Sequence, residues 1–150
     1  MTWAPHATVA TIVERNGKLL LVEELSHNQQ VFNQPAGHIE EGETIFDAAI
    51  RETLEETGWQ VELKSFLGIY TYLAPQNGVT YYRFCFVAEA IEQLTTKLDK
   101  DIVAAHWMGR TEVTALGERL RSPLVSRCVE DYYTKPHLNL ETIYEHPETT

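Results

Sequence analysis

The feature that most constrains the fold of this chain is an acidic segment, residues 37–59, that begins with a glycine and ends with a tryptophan. Its 23 residues contain seven acidic side chains and one arginine, so it carries −6 of the chain's formal net charge of −10 at pH 7. Like charges this close together repel one another and disfavour a compact state. The fold must therefore supply this segment with water or with a cation.

A helix over residues 44–57 is predicted inside the acidic segment. Thr44 followed by Asp47 resembles a capping box, and Gly58 supplies a C-terminal stop. Apolar residues recur between these signals at helical spacing, namely Phe46, Ile50 and Leu54.

The predicted helix has an anionic face. Because each helical residue advances about 100°, the carboxylates of Glu52, Glu55 and Glu56 share one arc of roughly 100°. The three apolar residues lie on the opposite arc and can pack against a sheet. The sequence thus predicts a packing face and a charged face on the same helix.

The charged face is electrostatically unfavourable for the helix. Like charges four residues apart cost a few tenths of a kcal/mol, and the helix dipole disfavours anions near its C-terminus. A bound cation would relieve both effects, and carboxylate oxygens suit Mg²⁺ or Mn²⁺ better than zinc. When the three glutamates are considered alone, a solvated acidic face is the better explanation.

The rest of the chain indicates an α/β protein. A hairpin with an Asn16–Gly17 turn joins strands at about 6–14 and 19–22. An extended segment over 31–39 precedes the acidic segment. Further strands are predicted at 61–73, 79–90 and 102–108, helices at 111–120 and 122–133, and an irregular tail beyond Pro136. We expect a single domain over residues 1–150.

Composition narrows the class of partner. A pI near 5.0 argues against a nucleic-acid polymer, although a small phosphorylated ligand remains compatible with bound cations. No signal peptide and no apolar segment long enough for a membrane span are recognised. The two cysteines, Cys85 and Cys128, lack metal-type spacing and indicate buried free thiols. We expect a cytoplasmic monomer.

The order of residues in the acidic segment resembles the Nudix box, Gly-x5-Glu-x7-Arg-Glu-U-x-Glu-Glu-x-Gly-U, where U is bulky and apolar. Only Thr53, at the first U position, departs from the pattern, and this affects packing rather than ligation. Phe-Asn-Gln-Pro-Ala-Gly-His before the box and Leu-Arg-Ser-Pro-Leu-Val near the end look like the NudJ-type phosphatases of that family. The matching positions are Gly37, Glu43, Arg51, Glu52, Glu55, Glu56, Gly58 and Trp59.

The resemblance implies a fold and a metal site. The fold would be an α/β/α sandwich with a mixed β-sheet and the Nudix loop–helix–loop. The metal ligands and catalytic carboxylates would be Glu52, Glu55 and Glu56, joined by the carbonyl of Gly37 as a ligand. Arg51 and Glu43 would hold the loops in place. Mg²⁺ is the implied cofactor, with Mn²⁺ as a substitute.

The implied reaction is attack of water on a phosphorus atom of a diphosphate. A carboxylate must position or deprotonate that water. The candidates for this base are Glu55 or Glu56 on the helix, and Asp99 or Asp101 on a later loop. For the two aspartates, an ordinary polar loop is an equally good explanation.

The main candidates for substrate contacts are Arg83, Phe32, Tyr72 and Arg121. Arg83 lies among apolar residues of a predicted strand, where a cation needs a partner, either a substrate phosphate or a core glutamate. Phe32 and Tyr72 could stack on a base, as could Tyr70 and Tyr82, and His38 could face the metal. Arg121 precedes a helix and is a weaker candidate.

The resemblance implies Mg²⁺-dependent hydrolysis of nucleoside tri- and diphosphates, and of the thiamine-precursor pyrimidine diphosphate, with release of phosphate. Another Nudix specificity, ADP-ribose or dinucleoside polyphosphate hydrolysis, is the alternative within the enzyme class. A third hypothesis is a non-catalytic module that binds a nucleotide. Such modules typically lose box glutamates, whereas all are present here.

Overall fold

Seven β-strands and three α-helices form over residues 2–147, the part of the chain that the computed structural model describes. Met1 and residues 148–150 lie outside it. The strands are β1 (His6–Arg15), β2 (Lys18–Ser26), β3 (Gln29–Asn33), β4 (Ala36–His38), β5 (Trp59–Leu73), β6 (Thr80–Gln93) and β7 (Ile102–Gly109). The helices are α1 (Ile45–Thr57), α2 (Arg110–Leu116) and α3 (Pro123–Thr134), with 3-10 turns at Gly117–Arg119 and Leu140–Thr142.

The strands form one mixed sheet in the order β3-β2-β1-β6-β5, with β4 paired to β1 and β7 paired to β2. The β1–β6 pair is parallel, and the other pairs are antiparallel. The predicted mixed sheet is therefore confirmed. Because β1 pairs with β2, β4 and β6, it lies at the centre and connects the two hairpins.

Helices cover both faces of the sheet, as predicted. On one face, Ala48 and Ala49 of α1 pack against Val9 and Phe86. On the other face, residues of α2 and α3 pack against β1, β2 and β6. This second cluster includes Ala10, Ile12, Leu19, Cys85, Val113, Cys128 and Val129. Burial of each large apolar side chain contributes roughly 1.5–3 kcal/mol to stability.

Local signals set the ends of α1. The Oγ1 atom of Thr44 accepts a hydrogen bond of 3.0 Å from the amide of Asp47. Gly58 has φ of 78° and donates its amide to the Leu54 carbonyl at 2.8 Å. A Cβ atom at Gly58 would lie 1.9 Å from the carbonyl oxygen of Thr95, so a second constraint also favours glycine there. The predicted helix limits hold to within one residue.

The predicted division of α1 into opposite faces holds in part: Phe46 and Ile50 pack against the core as predicted, but Glu56 does not lie on an exposed face. Glu56 is buried on the same side as the small residues, while Phe46, Ile50 and Leu54 are only partly buried. Small side chains let the helix approach the sheet closely, so the deepest positions do not belong to the large apolar residues. The buried positions are Ala48, Ala49, Thr53, Glu56 and Thr57.

Thr53, the departure from the box pattern, has a partner in the sheet. Its Oγ1 atom donates to the Ala49 carbonyl at 2.8 Å and lies 2.9 Å from the Oγ1 atom of Thr11 on β1. Both hydroxyls are about 99% or more buried. A hydrogen bond thus links α1 to β1 where the pattern has an apolar contact.

Some predicted limits differ from the structure. The predicted helix 111–120 ends at Leu116, because Gly117 has φ of 54° and leads into a 3-10 turn. The strands β5 and β6 extend to Trp59 and Gln93, beyond their predicted ends. Cys85 and Cys128 are buried free thiols, as predicted. No helix within residues 2–147 has the length and apolar character needed to cross a bilayer.

The segment after α3 is more ordered than predicted. Leu138 exchanges two backbone hydrogen bonds of 2.8 Å with Phe66 of β5. Further along, both carboxylate oxygens of Glu145 accept from the amide of Ile45, at 3.1 and 3.0 Å. An acidic group at a helix N-terminus is favourable. The C-terminal segment therefore connects the edge of the sheet to the start of α1.

Candidate active site

The C-terminal half of α1 meets β4 at a group of carboxylates. Glu56 is 8% exposed, and its Oε1 atom accepts a hydrogen bond of 2.9 Å from the Ala36 amide. Burial raises the pKa of Glu56 to about 9; the amide opposes this rise, and the charges of Glu24, Glu52 and Asp99 add to it. The fold therefore places a carboxyl group whose ionisation is costly beside other carboxylates, which is typical of a functional site.

Arg51 holds the acidic segment together. Its guanidinium donates to Glu43 at 2.6 and 3.0 Å, to Glu52 at 2.9 Å and to Glu55 at 2.7 Å. It also donates to the backbone carbonyl of His38 at 3.1 Å. The hydrogen bond from Arg51 is the main cause of the lowered pKa of Glu43. One cation thus connects α1 to the loop before it.

Gly37 allows Glu52 to approach the backbone of β4. A Cβ atom at this position would lie 2.2 Å from the carboxyl carbon of Glu52, so the Glu52 carboxylate would have to move away from β4. Burial also raises the pKa of Glu52, with Arg51 opposing the rise. The glycine therefore leaves room for the Glu52 carboxylate in its present position beside β4.

These residues fit a hard divalent cation. The carboxylates of Glu52, Glu55 and Glu56 and the backbone beside Gly37 offer oxygen donors alone, which suit Mg²⁺ and Mn²⁺. Within residues 2–147, no three acidic, histidine or cysteine side chains are already gathered as a ligand set. The reason is that Arg51 binds Glu52 and Glu55, and the Ala36 amide binds Glu56.

The two loop aspartates differ in their backbone contacts. The backbone amide of Asp99 donates to the Glu55 carbonyl at 3.0 Å, and its carboxylate contributes to the raised pKa of Glu52 and Glu56. Burial and then the charge of Glu55 raise the pKa of Asp99 itself. The carbonyl of Asp101 instead accepts from Leu25 of β2. Asp99 therefore lies at the carboxylate group.

A cavity of about 900 Å³ opens beside the carboxylates. Glu56 and Gly37 lie on one wall, and three of the substrate candidates, Arg83, Arg121 and Tyr72, line the same space. His38 also lines it and is hydrogen-bonded to His6 at 3.0 Å.

Three aromatic candidates lie elsewhere. Phe32 is 6% exposed and packs in the core between His106 and Arg119, so its prediction as a stacking residue is wrong. Tyr70 donates to Asp131 at 2.8 Å and lines a separate, smaller cavity. Tyr82 does not line the 900 Å³ cavity and contacts Trp3.

Arg83 is buried without a carboxylate partner among the described residues. It is 8% exposed, and its Nη1 atom donates to the Gln34 Oε1 atom at 2.8 Å. Its Nη2 atom lies 3.5 Å from the Asn33 Oδ1 atom. The alternative of a core ion pair with glutamate is therefore wrong. Amide oxygens solvate the guanidinium but leave its charge available to an anion in the cavity.

Sequence reasoning missed Glu24, which lines the same cavity. This carboxylate is 7% exposed and accepts hydrogen bonds from Asn33 at 3.4 Å and from Arg121 at 2.5 Å. The available signal was a charged residue close to the apolar run Leu19–Val22 of the same strand, because a carboxylate that becomes buried requires a partner. The partner lies 97 residues away, which the sequence does not reveal.

The fold and this arrangement of residues agree with a known family. A model of the NUDIX domain matches residues 4–128, and the chain belongs to the Nudix family. It is 38% identical over 141 residues to the phosphatase NudJ of Escherichia coli K12, covering 93% of this chain and 90% of that protein. A NUDIX hydrolase structure from Nitrosomonas europaea is 39% identical, with a TM-score of 0.92 over 95% of this chain and 98% of its own.

More distant structures share the fold alone. A UDP-X diphosphatase is 18% identical with a TM-score of 0.71, covering 89% of this chain and 64% of its own. Membership of the family makes this chain a hydrolase of the pyrophosphohydrolase and phosphatase type, acting on small phosphorylated substrates. Nudix hydrolases generally use divalent metal ions.

Proposed function

We propose that this chain is a Mg²⁺-dependent phosphatase. Its substrates are nucleoside tri- and diphosphates and the thiamine-precursor pyrimidine diphosphate, and it releases inorganic phosphate. The observation that carries this proposal is the buried, un-neutralised guanidinium of Arg83 in the same cavity as the box carboxylate Glu56. The 38% identity to proteins named phosphatase NudJ supports the specificity.

In this proposal, Glu52, Glu55, Glu56 and the Gly37 carbonyl hold Mg²⁺, and Mn²⁺ can substitute. When bound, the ion neutralises charge on the phosphate oxygens. Arg51 and Glu43 are positioning residues, because their hydrogen bonds fix the loop and the helix that present the carboxylates. The absence of a side chain at Gly37 keeps the backbone close to Glu52.

Arg83 and Arg121 bind phosphate oxygens from the other side of the cavity. A carboxylate at the end of α1 or on the loop before β7 orients a water molecule and accepts its proton. The water oxygen forms a bond to phosphorus as the anhydride bond to the leaving phosphate breaks. Glu55, Glu56 and Asp99 are the candidates for this base, and Glu55 has the most exposed side chain of the three box glutamates, at 37%.

A substrate panel tests this proposal. Nucleoside di- and triphosphates, the pyrimidine diphosphate, ADP-ribose and a dinucleoside polyphosphate are each incubated with Mg²⁺ and with EDTA, and the products are identified. The proposal expects inorganic phosphate from the first three classes and no turnover with EDTA. Two nucleotides released from the dinucleotide, with no phosphate from a nucleoside diphosphate, would overturn it in favour of the other Nudix specificity.

A further inference from the structure

One face of the sheet carries an aromatic row, formed by Tyr72 and Tyr81, beside the buried cation Arg83. The strand register places Tyr81 of β6 opposite Tyr72 of β5, and Arg83 of β6 beside Thr8 of β1. All four residues line the 900 Å³ cavity. Tyr81 and Arg83 are two residues apart on one strand and so lie about 7 Å apart along it. The cavity therefore has a charged end and an aromatic end.

The Tyr81 ring is held in place by its neighbours. Its hydroxyl accepts a hydrogen bond of 2.9 Å from the Nδ2 atom of Asn77 in the β5–β6 loop. The rings of His6 and His38 lie 5.6 and 6.1 Å from it, at interplanar angles of 79° and 67°. A ring that is fixed before a ligand arrives loses little conformational entropy on binding.

The two tyrosines are not needed to fill the core. Both are half-buried, and among residues 2–147 neither belongs to the two hydrophobic clusters of the sheet. Their rings border the cavity instead. The neighbouring residue Tyr82 points away from this cavity, as expected from the alternation of side chains along a strand.

We propose that Tyr72 and Tyr81 form a stacking subsite for the aromatic heterocycle of the substrate. This proposal rests on the proposed function, which places the phosphates at Arg83 and the box carboxylates. The two-residue separation along β6 is a span that a ribose, or a short alkyl link between a ring and a diphosphate, can cover. Stacking uses the face that every base has in common, so the subsite accepts purines and pyrimidines alike.

Calorimetric binding of AMP, CMP and ribose 5-phosphate in the presence of Mg²⁺ tests the subsite without requiring turnover. The wild-type chain is expected to bind both nucleotides roughly tenfold more tightly than the ringless phosphate, within the range of one base–aromatic stack. Tyr81→Leu is expected to remove this difference while leaving ribose 5-phosphate binding unchanged. Tyr81→Phe keeps the ring and should retain nucleotide affinity to within about twofold.

Tyr82→Leu is the matched control, because it alters the adjacent tyrosine on the opposite face. Tyr72→Leu provides a second test of the row if Tyr81→Leu lowers the melting temperature below the assay range. Equal affinity of the wild type for ringed and ringless phosphates, or an equal loss for both in the variants, overturns the subsite. A failure of the proposed function would instead appear as absent phosphate release in the substrate panel.

Discussion

At the scale of single residues, the site combines several groups whose environments oppose their charge. Glu56 is a buried carboxyl whose ionisation is opposed by burial, Arg83 is a buried cation held by amides, and Glu24 is a buried anion that Arg121 neutralises. Each arrangement costs stability unless a ligand or a partner compensates it. Their concentration around one cavity indicates that the fold gives up stability there for binding and chemistry.

Glu55→Gln and Glu56→Gln are each expected to lower kcat by roughly 10²- to 10⁴-fold, the range for loss of an acid–base group. Each change removes a charged oxygen donor but keeps the side-chain size, so the melting temperature should stay close to that of the wild type. The measurement is phosphate release at saturating Mg²⁺. Glu62→Gln, on an exposed part of β5, is the control. Near wild-type turnover in either variant would remove that residue from the proposed machinery.

Single residues also show the limits of sequence reasoning. The limits of α1 were predictable because Thr44 and Gly58 act on their own neighbours. The burial of Glu56 was not, because it depends on how closely the small residues of α1 approach the sheet. Phe32 has an aromatic ring of the kind that stacks on a base, yet its position on the strand places this ring in the core. Glu24 and Gln34 gained their roles from partners distant in sequence.

At the scale of elements, α1 is joined to β1 by a buried pair of hydroxyls. The Thr53–Thr11 contact replaces an apolar contact at the one position where the chain departs from the Nudix pattern. Two hydroxyls that satisfy one another can occupy a core position at little net cost, whereas one left alone cannot. This pair therefore makes the two threonines dependent on one another.

Thr53→Val is expected to lower the free energy of unfolding by about 1–3 kcal/mol, because it leaves the buried Thr11 hydroxyl without this partner. The double variant Thr11→Val with Thr53→Val should recover part of that loss. Urea unfolding of the wild type, both single variants and the double variant gives the coupling energy. Purely additive effects of the two changes would show that the contact contributes nothing to the coupling of α1 and β1.

At the scale of the whole molecule, the central strand β1 connects the part of the sheet that presents Gly37 to the part that presents Arg83 and the aromatic row. The mixed topology was predictable from the strand pattern and the family resemblance. Which candidates share a cavity was not, because that depends on the register between β1, β4, β5 and β6. Tyr72 and Tyr82 illustrate this, because their sequence surroundings are similar, yet Tyr72 lines the cavity and Tyr82 does not.

The hydrogen bond between Tyr70 of β5 and Asp131 of α3 should make the free energy of unfolding depend on pH. Burial alone would raise the pKa of Asp131, but hydrogen bonds from Tyr70, Arg127 and Lys135 hold it below its ordinary value. A depressed folded pKa gives stability that is present above the unfolded value of about 3.9 and is lost as the pH falls through the folded value.

Asp131→Asn should therefore be less stable than the wild type at pH 7, and the difference should shrink as the pH falls below about 4. Chemical unfolding measured between pH 7 and pH 3 checks this. Glu130→Gln, at the adjacent exposed position on α3, is the control and should follow the wild type. A constant difference across that range would exclude the Asp131 carboxylate as the source of the dependence.

The C-terminal segment has a consequence for proteolysis. Leu138 forms backbone hydrogen bonds with Phe66 on the edge strand β5. The Glu145 carboxylate accepts a hydrogen bond from the first amide of α1, which lies 100 residues earlier in the chain. Cleavage just after α3 would thus release a contact at the start of the helix that carries the box glutamates. A protease that cuts only the C-terminal segment would therefore remove a hydrogen-bond acceptor from the first turn of α1.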